Sequence, residues 1–125
     1  MPTDPREAGG RVNQAGAADL AEVVTVGGRE LLRYKPFQVD VALIRGSFAD
    51  AHGNVSLDQE PANVDIYAAA LAAHNCGGKV IAQVRTAVAV GALPARAVRV
   101  PGAIVDRVVV DPAQALEQRA PEPAL

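Results

Sequence analysis

Aromatic side chains are nearly missing from this chain of 125 residues, which holds two Tyr, two Phe and no Trp. Without large rings, a core must be assembled from Val, Leu, Ile and Ala. Those are the side chains of buried parallel strands packed on small-residue helices. One cysteine excludes an internal disulfide and fits a reducing compartment. Metal-ligand spacing is absent: His52 and His74 form no H-x-x-x-H, and Cys76 has no C-x-x-C partner. Basic excess is lacking too, with 12 Lys and Arg against 14 Asp and Glu, a net charge of −2. There is thus no basic stripe to release counterions from a phosphate backbone and hardly an aromatic platform for bases, so a nucleic-acid partner is excluded. No apolar run reaches the roughly 20 residues of a membrane span, and the first ten residues hold no apolar signal region. These absences predict a soluble cytoplasmic protein with no membrane partner.

What is present suits one globular domain. Half of the residues are hydrophobic, and a chain of this length buries roughly two thirds of its unfolded surface. Residues 1–18, rich in Gly, Ala and Pro, read as an irregular lead-in. Glu22-Val-Val-Thr-Val26 and Arg29-Glu-Leu-Leu-Arg33 flank Gly27-Gly28, a two-residue link suited to a tight hairpin turn. Val39-Asp-Val-Ala-Leu-Ile44 reads as a strand, Gly53-Asn54 as a turn, and Val55-Ser-Leu57 as a short extended return. Pro61 suits the first turn of a helix. Val64, Tyr67, Ala68 and Leu71 then fall at i, i+3, i+4 and i+7, one helical face. Gly77 and Gly78 stop that helix, and 80–84 gives a second strand. Strand, helix and strand in this order predict a crossover unit with parallel strands. Segments 97–100 and 104–110 add two β stretches around Pro101-Gly102, and 112–125 reads as a flexible tail. The expected fold class is α/β: an open, mostly parallel sheet with a crossover helix, plus a β-hairpin.

Candidate chemistry is sparse. His52 lies in a polar turn and His74 near a helix end, where surface or capping roles are expected. Cys76 follows a helix C-terminus, whose dipole disfavours a thiolate, so a structural role is expected. The paired glycines match no phosphate loop, because Lys79 after Gly77-Gly78 leads into a strand and a P-loop lysine opens a helix. Asp50, Asp58 and Glu60 cluster around the Gly53 turn; paired carboxylates can do acid–base work, but a solvated loop is the expected reading. Ser47 and Ser56 have no nucleophile elbow around them. The residues alone identify no catalytic group.

Three segments, taken in order, carry a family resemblance. The first is Asp40-Val-Ala-Leu-Ile-Arg-Gly46 leading into Ala49-Asp-Ala-His-Gly-Asn-Val55. The second is Ala72-Ala-His-Asn-Cys-Gly-Gly-Lys-Val-Ile-Ala-Gln-Val84, followed by Val90-Gly-Ala-Leu93. The third is Val100-Pro-Gly-Ala-Ile-Val-Asp-Arg-Val-Val-Val110. Together they resemble the family I CoA-transferases, and with Asp4-Pro-Arg-Glu-Ala-Gly-Gly-Arg11 the likeness covers most of the chain except the tail. The hairpin and Lys35-Pro-Phe37 are most similar to the single-chain short-chain acyl-CoA:acetate or 3-ketoacid transferases.

The resemblance implies two related α/β halves with an active site between them. A glutamate of the second half attacks the acyl-CoA carbonyl, and a glutamyl-CoA thioester carries CoA to the acceptor acid, a covalent route that needs a dry, donor-lined site. It further implies short-chain fatty acid or ketone-body metabolism, with CoA as substrate and no bound cofactor. Residues 19–111 correspond to the latter part of the first half. The glycine-rich opening segment and the second half have no counterpart here, and none of Glu7, Glu22, Glu30, Glu60, Glu117 or Glu122 lies in the nucleophile's context. The expectation is therefore a truncated CoA-transferase, inactive alone and in need of a complementary segment or subunit. The alternative is a non-catalytic interaction or regulatory module, or a gene remnant, that keeps only the scaffold. Gly53 and Asn54 are the substrate-cleft candidates, because a loop after the carboxyl end of a parallel strand is where open α/β sheets bind ligands; turn geometry is the competing reading. Exposed strand edges and apolar faces predict self-association.

Overall fold

The computed structural model describes residues 20–115, and the chain divides into two compact units at Phe37/Gln38. The lead-in expected over 1–18 lies outside the described residues.

In the first unit, β1 (Ala21–Val26) and β2 (Arg29–Tyr34) form an antiparallel pair. Their register closes at Val26 opposite Arg29, leaving Gly27 and Gly28 as the whole turn. Both have positive φ, 57° and 77°, the conformation a two-residue type I′ turn requires and glycine adopts without steric cost. The hairpin predicted from Gly27-Gly28 is present. Glu22 and Arg33 face each other across it, with Arg33 Nη1 donating to Glu22 Oε1 at 3.1 Å. Both side chains are open to solvent, so this pair contributes at most about 1 kcal/mol.

The second unit holds a five-stranded sheet and one α-helix. The strands are β3 (Val41–Ala49), β4 (Val55–Ser56), β5 (Lys79–Ala87), β6 (Val98–Val100) and β7 (Arg107–Val110). Their spatial order is β6-β4-β3-β5-β7. β3, β5 and β7 run parallel, whereas β4 and β6 are antiparallel to their neighbours. The helix α1 (Ile66–Asn75) connects the β3–β4 pair to β5. This is the mixed, mostly parallel α/β sheet with a crossover helix that the sequence predicts. No helix among the described residues is long and apolar enough to cross a membrane.

The core lies between α1 and one face of the sheet. Ala42, Ile44, Val80, Ala82 and Val84 are buried there against Ala70 and Ala73, with Ile66 and Ala69 packed at the margin. Two sequence expectations need correction. The helix begins at Ile66, five residues after Pro61, and the face of Val64, Tyr67, Ala68 and Leu71 is not the one that packs. Val64 is 76% and Tyr67 48% exposed. In Ile66-Tyr-Ala-Ala-Ala-Leu-Ala-Ala73 nearly every position is apolar, so periodicity cannot choose a face. Close approach to the sheet chooses the stripe with the smallest side chains.

The second correction concerns β3, which continues past Ile44 to Ala49. Gly46 sits inside the strand. A Cβ there would lie 2.3 Å from Val55 Cγ1 and 3.1 Å from the Ser56 carbonyl oxygen. Glycine lets β4 close onto β3. Of the tail expected from residue 112, positions 112–115 are described, and they are pinned. Gln114 is 6% exposed, donates to the Gly46 carbonyl at 2.8 Å, and accepts from Gln83 Nε2 at 3.0 Å.

Candidate functional site

The turn of residues 50–54 leaves the carboxyl end of β3, and a single carboxylate organises it. Asp50 Oδ1 accepts the backbone N–H groups of His52 at 2.9 Å and Asn54 at 3.0 Å, while Oδ2 accepts Asn54 Nδ2 at 3.0 Å. The Asp50 and Asn54 main chains also bond each other, with Asp50 N–H donating to the Asn54 carbonyl at 3.1 Å. This is an Asx-type turn completed by a second side chain. Gly53 stands at φ 80° at its tip, a conformation that side-chain-bearing residues adopt at a cost.

Asn54 then ties the turn to a distant connection. Its Oδ1 accepts the Gly102 N–H at 2.9 Å. Gly102 approaches so closely that a Cβ there would lie 1.9 Å from the His52 carbonyl oxygen. Both predicted site residues therefore stand in one network, with the Asn54 amide bonded at its nitrogen and its oxygen to the fold itself. Concave surfaces open on two sides. One, of about 450 Å³, is lined by Asp50, His52, Gly53, Val88 and Arg107; the other, of about 390 Å³, is lined by Asp50, His52, Asn54, Val90 and Leu93.

Sequence reasoning placed Asp50 in a solvated acidic loop, and the structure corrects this. Asp50 is only 8% exposed. Glu60 pairs instead with Arg45, whose Nε lies 2.9 Å from Oε2, and Asp58 alone of the three is exposed. The spacing Asp50 to Asn54, i to i+4 across a glycine, was the signal available for the Asx turn. Gly102 carried none, since its partner lies 48 residues away. His52 and His74 are exposed, and Cys76 is half-buried. The Ser47 hydroxyl accepts the Gln59 N–H at 2.8 Å, and Ser56 Oγ is buried without a partner among the described residues. No three His, Cys, Asp or Glu side chains among the described residues converge as a metal-ligand set.

The Asn54 amide beside it, helped by the two backbone donors, holds the Asp50 carboxyl below the usual carboxylate range, with burial opposing. Asp106 is likewise held low, first by the Val80 N–H that donates to Oδ2 at 2.8 Å and then by Lys79 at 3.5 Å. A carboxylate whose folded pKa is depressed contributes stability above its unfolded value, and that contribution disappears as pH falls through the folded value. The melting temperature is therefore expected to hold near neutrality and to fall on acidification below about pH 4. Thermal melts between pH 3 and 7 check this, with Asp50→Asn flattening the acid limb; a wild-type melt unchanged down to pH 3 would contradict it.

Comparison with known proteins places this arrangement. The family model described as Coenzyme A transferase matches residues 5–111. The chain is 43% identical over 107 residues to a caffeate CoA-transferase of Acetobacterium woodii, covering 86% of this chain and 20% of that protein. It is 40% identical over 111 residues to the acetate CoA-transferase YdiF of Escherichia coli strain K12, covering 89% of this chain and 21% of that one. The crystal structure of YdiF from E. coli O157:H7, solved as a thioester complex with CoA, superposes with a TM-score of 0.81 at 39% identity, covering 90% of this chain and 22% of that chain. The chain thus spans about a fifth of the length of the curated relatives it matches. The family match over residues 5–111 and the superposition on YdiF agree on one assignment. The chain belongs to the coenzyme A transferase family.

Proposed function

We propose that this chain is one part of a CoA-transferase that moves CoA between a short-chain acyl-CoA or 3-ketoacyl-CoA and a carboxylic acid such as acetate. The observation that carries this reading is the superposition on YdiF at 39% identity over 90% of the chain. In this reading the chain supplies scaffold and one wall of the substrate cleft, at Gly53 and Asn54. Asp50 fixes that wall, because three of its contacts hold the turn in shape. CoA enters as a substrate, and the chain holds no resident cofactor.

The nucleophilic carboxylate belongs to a complementary segment or subunit. Among the described glutamates, Glu60 is tied to Arg45 and Gln114, and Glu22 is paired with Arg33 on the hairpin. None of the described glutamates, Glu22, Glu30 or Glu60, lines the cavities beside the 50–54 turn. A carboxylate already engaged by a guanidinium is a poor nucleophile, since the partner stabilises the ground-state charge that attack must give up. The test is CoA exchange between acetoacetyl-CoA and acetate, measured with the purified chain and with the chain joined to the remainder of a relative. The joined form is expected to transfer CoA, and the chain alone is not.

A further inference from the structure

We propose that Val90 and Leu93 set the length of the acyl chain this transferase accepts, an assignment that rests on the functional reading above and deepens it. Both residues belong to the connection that follows the carboxyl end of β5. That connection leaves the sheet beside the 50–54 turn, because Ala49 pairs with Ala87 and Val88 donates its N–H to the Ala49 carbonyl at 2.8 Å. A concave surface of about 390 Å³ lies between turn and connection. It stands beyond the carboxyl ends of two parallel strands, where open α/β sheets take their ligands.

The chemistry of the lining selects the occupant. Asp50 and Asn54 contribute to it, but their side-chain polar atoms are spent within the turn and on Gly102. His52 adds an exposed ring. The rest is Gly91 and the apolar side chains of Val90, Leu93, Ala95 and Val98.

No Lys or Arg lines this surface among the described residues. The phosphates of CoA and a free carboxylate therefore find no fixed counter-charge there. The part of the substrate that fits is the hydrocarbon end of the acyl group, which gains from burial and asks for no hydrogen bond.

The apolar wall is held in shape by its own backbone. Ala92 donates its N–H to the Ala89 carbonyl at 3.0 Å, closing a β-turn over 89–92. Gly91 has φ 83° at the third position, where a type II turn takes glycine. Beyond Leu93, Ala97 donates to the Pro94 carbonyl at 2.8 Å. Neither Val90 nor Leu93 belongs to the buried core, and Val90 is 53% exposed. Their size is thus not fixed by packing within the sheet, and it sets the room left for a ligand. A wall of this kind discriminates by volume, at roughly 10–200-fold per methylene.

The test uses YdiF of E. coli with residues 5–111 of this chain in place of its matching segment, and propionate as acceptor. Each turnover exchanges one thioester for another: acetyl-CoA or butyryl-CoA releases acetate or butyrate, and propionate becomes propionyl-CoA. The quantity read is the ratio of kcat/KM for butyryl-CoA to that for acetyl-CoA. Leu93→Ala is expected to raise this ratio about tenfold, and Leu93→Phe to lower it about tenfold. Val90→Phe, at an exposed position that the fold tolerates, is expected to lower it as well. Opposite shifts at one position are not produced by a merely structural role, since lost stability weakens both donors alike. A ratio that stays within about threefold of wild type in every variant overturns the assignment and leaves the functional reading standing. So does a kcat/KM that falls equally for both donors. A wild-type hybrid that folds yet moves no CoA from either donor removes the functional reading, and this assignment with it.

Discussion

Replacing Gly102 with alanine is expected to cost about 3 kcal/mol of stability, toward the upper end of what overpacking a well-fitted interior does. The new Cβ would stand 1.9 Å from the His52 carbonyl oxygen, 2.8 Å from the His52 carbonyl carbon and 3.0 Å from the Asn54 nitrogen. All three are backbone atoms of the 50–54 turn, so no rotamer change relieves the contact. The turn itself is held by Asp50 through two backbone donors and the Asn54 amide. Either the turn or the 101–106 connection must move, and the Gly102 to Asn54 bond breaks with it. Gly77→Ala is the control. Gly77 has φ 74° with open space around it, so only conformational strain of about 1 kcal/mol applies. Denaturant unfolding of the two variants checks the contrast; equal midpoints would show that close approach at Gly102 is not what holds the turn.

Gly46→Ala is the second large effect, expected at about 2–3 kcal/mol, and it has a specific remedy. Here the nearest obstructing atom belongs to a side chain, Val55 Cγ1 at 2.3 Å, with the Ser56 carbonyl oxygen at 3.1 Å and Val84 Cγ1 at 3.4 Å behind it. Val55 and Val84 are fully buried, and a β-branched side chain has few rotamers to escape into. Val55→Ala alone removes packing and costs about 1–3 kcal/mol. Together, Gly46→Ala and Val55→Ala exchange the position of a methyl group, so the double variant should recover at least about 1 kcal/mol of the summed loss. Strict additivity of the two costs would mean that the β3–β4 approach yields by backbone movement.

Much of this fold was legible because its determinants are local. Gly27-Gly28 between two apolar stretches specifies a hairpin by turn geometry alone, and the strand–helix–strand order specifies parallel pairing by the length of the connection. What escaped depends on contacts distant in sequence. Gly46 could be known as a strand residue only from Val55 and Ser56 closing on it. The packed helix face could be known only from how near the sheet lies, since apolar residues at nearly every position from 66 to 73 leave periodicity silent. The pinning of Gln114 depends on Gly46, 68 residues away.

The cleft candidates show the same division. A glycine and an asparagine after a strand read as a turn, and Gly53 and Asn54 do form one. That Asp50 organises it and that Gly102 seals it required two connections brought together from opposite parts of the unit. The family likeness was legible because it too rests on short runs of residues.

The most direct measurement is a CoA-exchange assay between acetoacetyl-CoA and acetate, run on the purified chain and on YdiF of E. coli carrying residues 5–111 of this chain. If the chain supplies scaffold to a transferase whose nucleophile lies elsewhere, the hybrid transfers CoA, and the chain alone gives no exchange above the enzyme-free rate. CoA exchange by the purified chain alone would contradict this outright, because a nucleophile would then have to lie within these 125 residues.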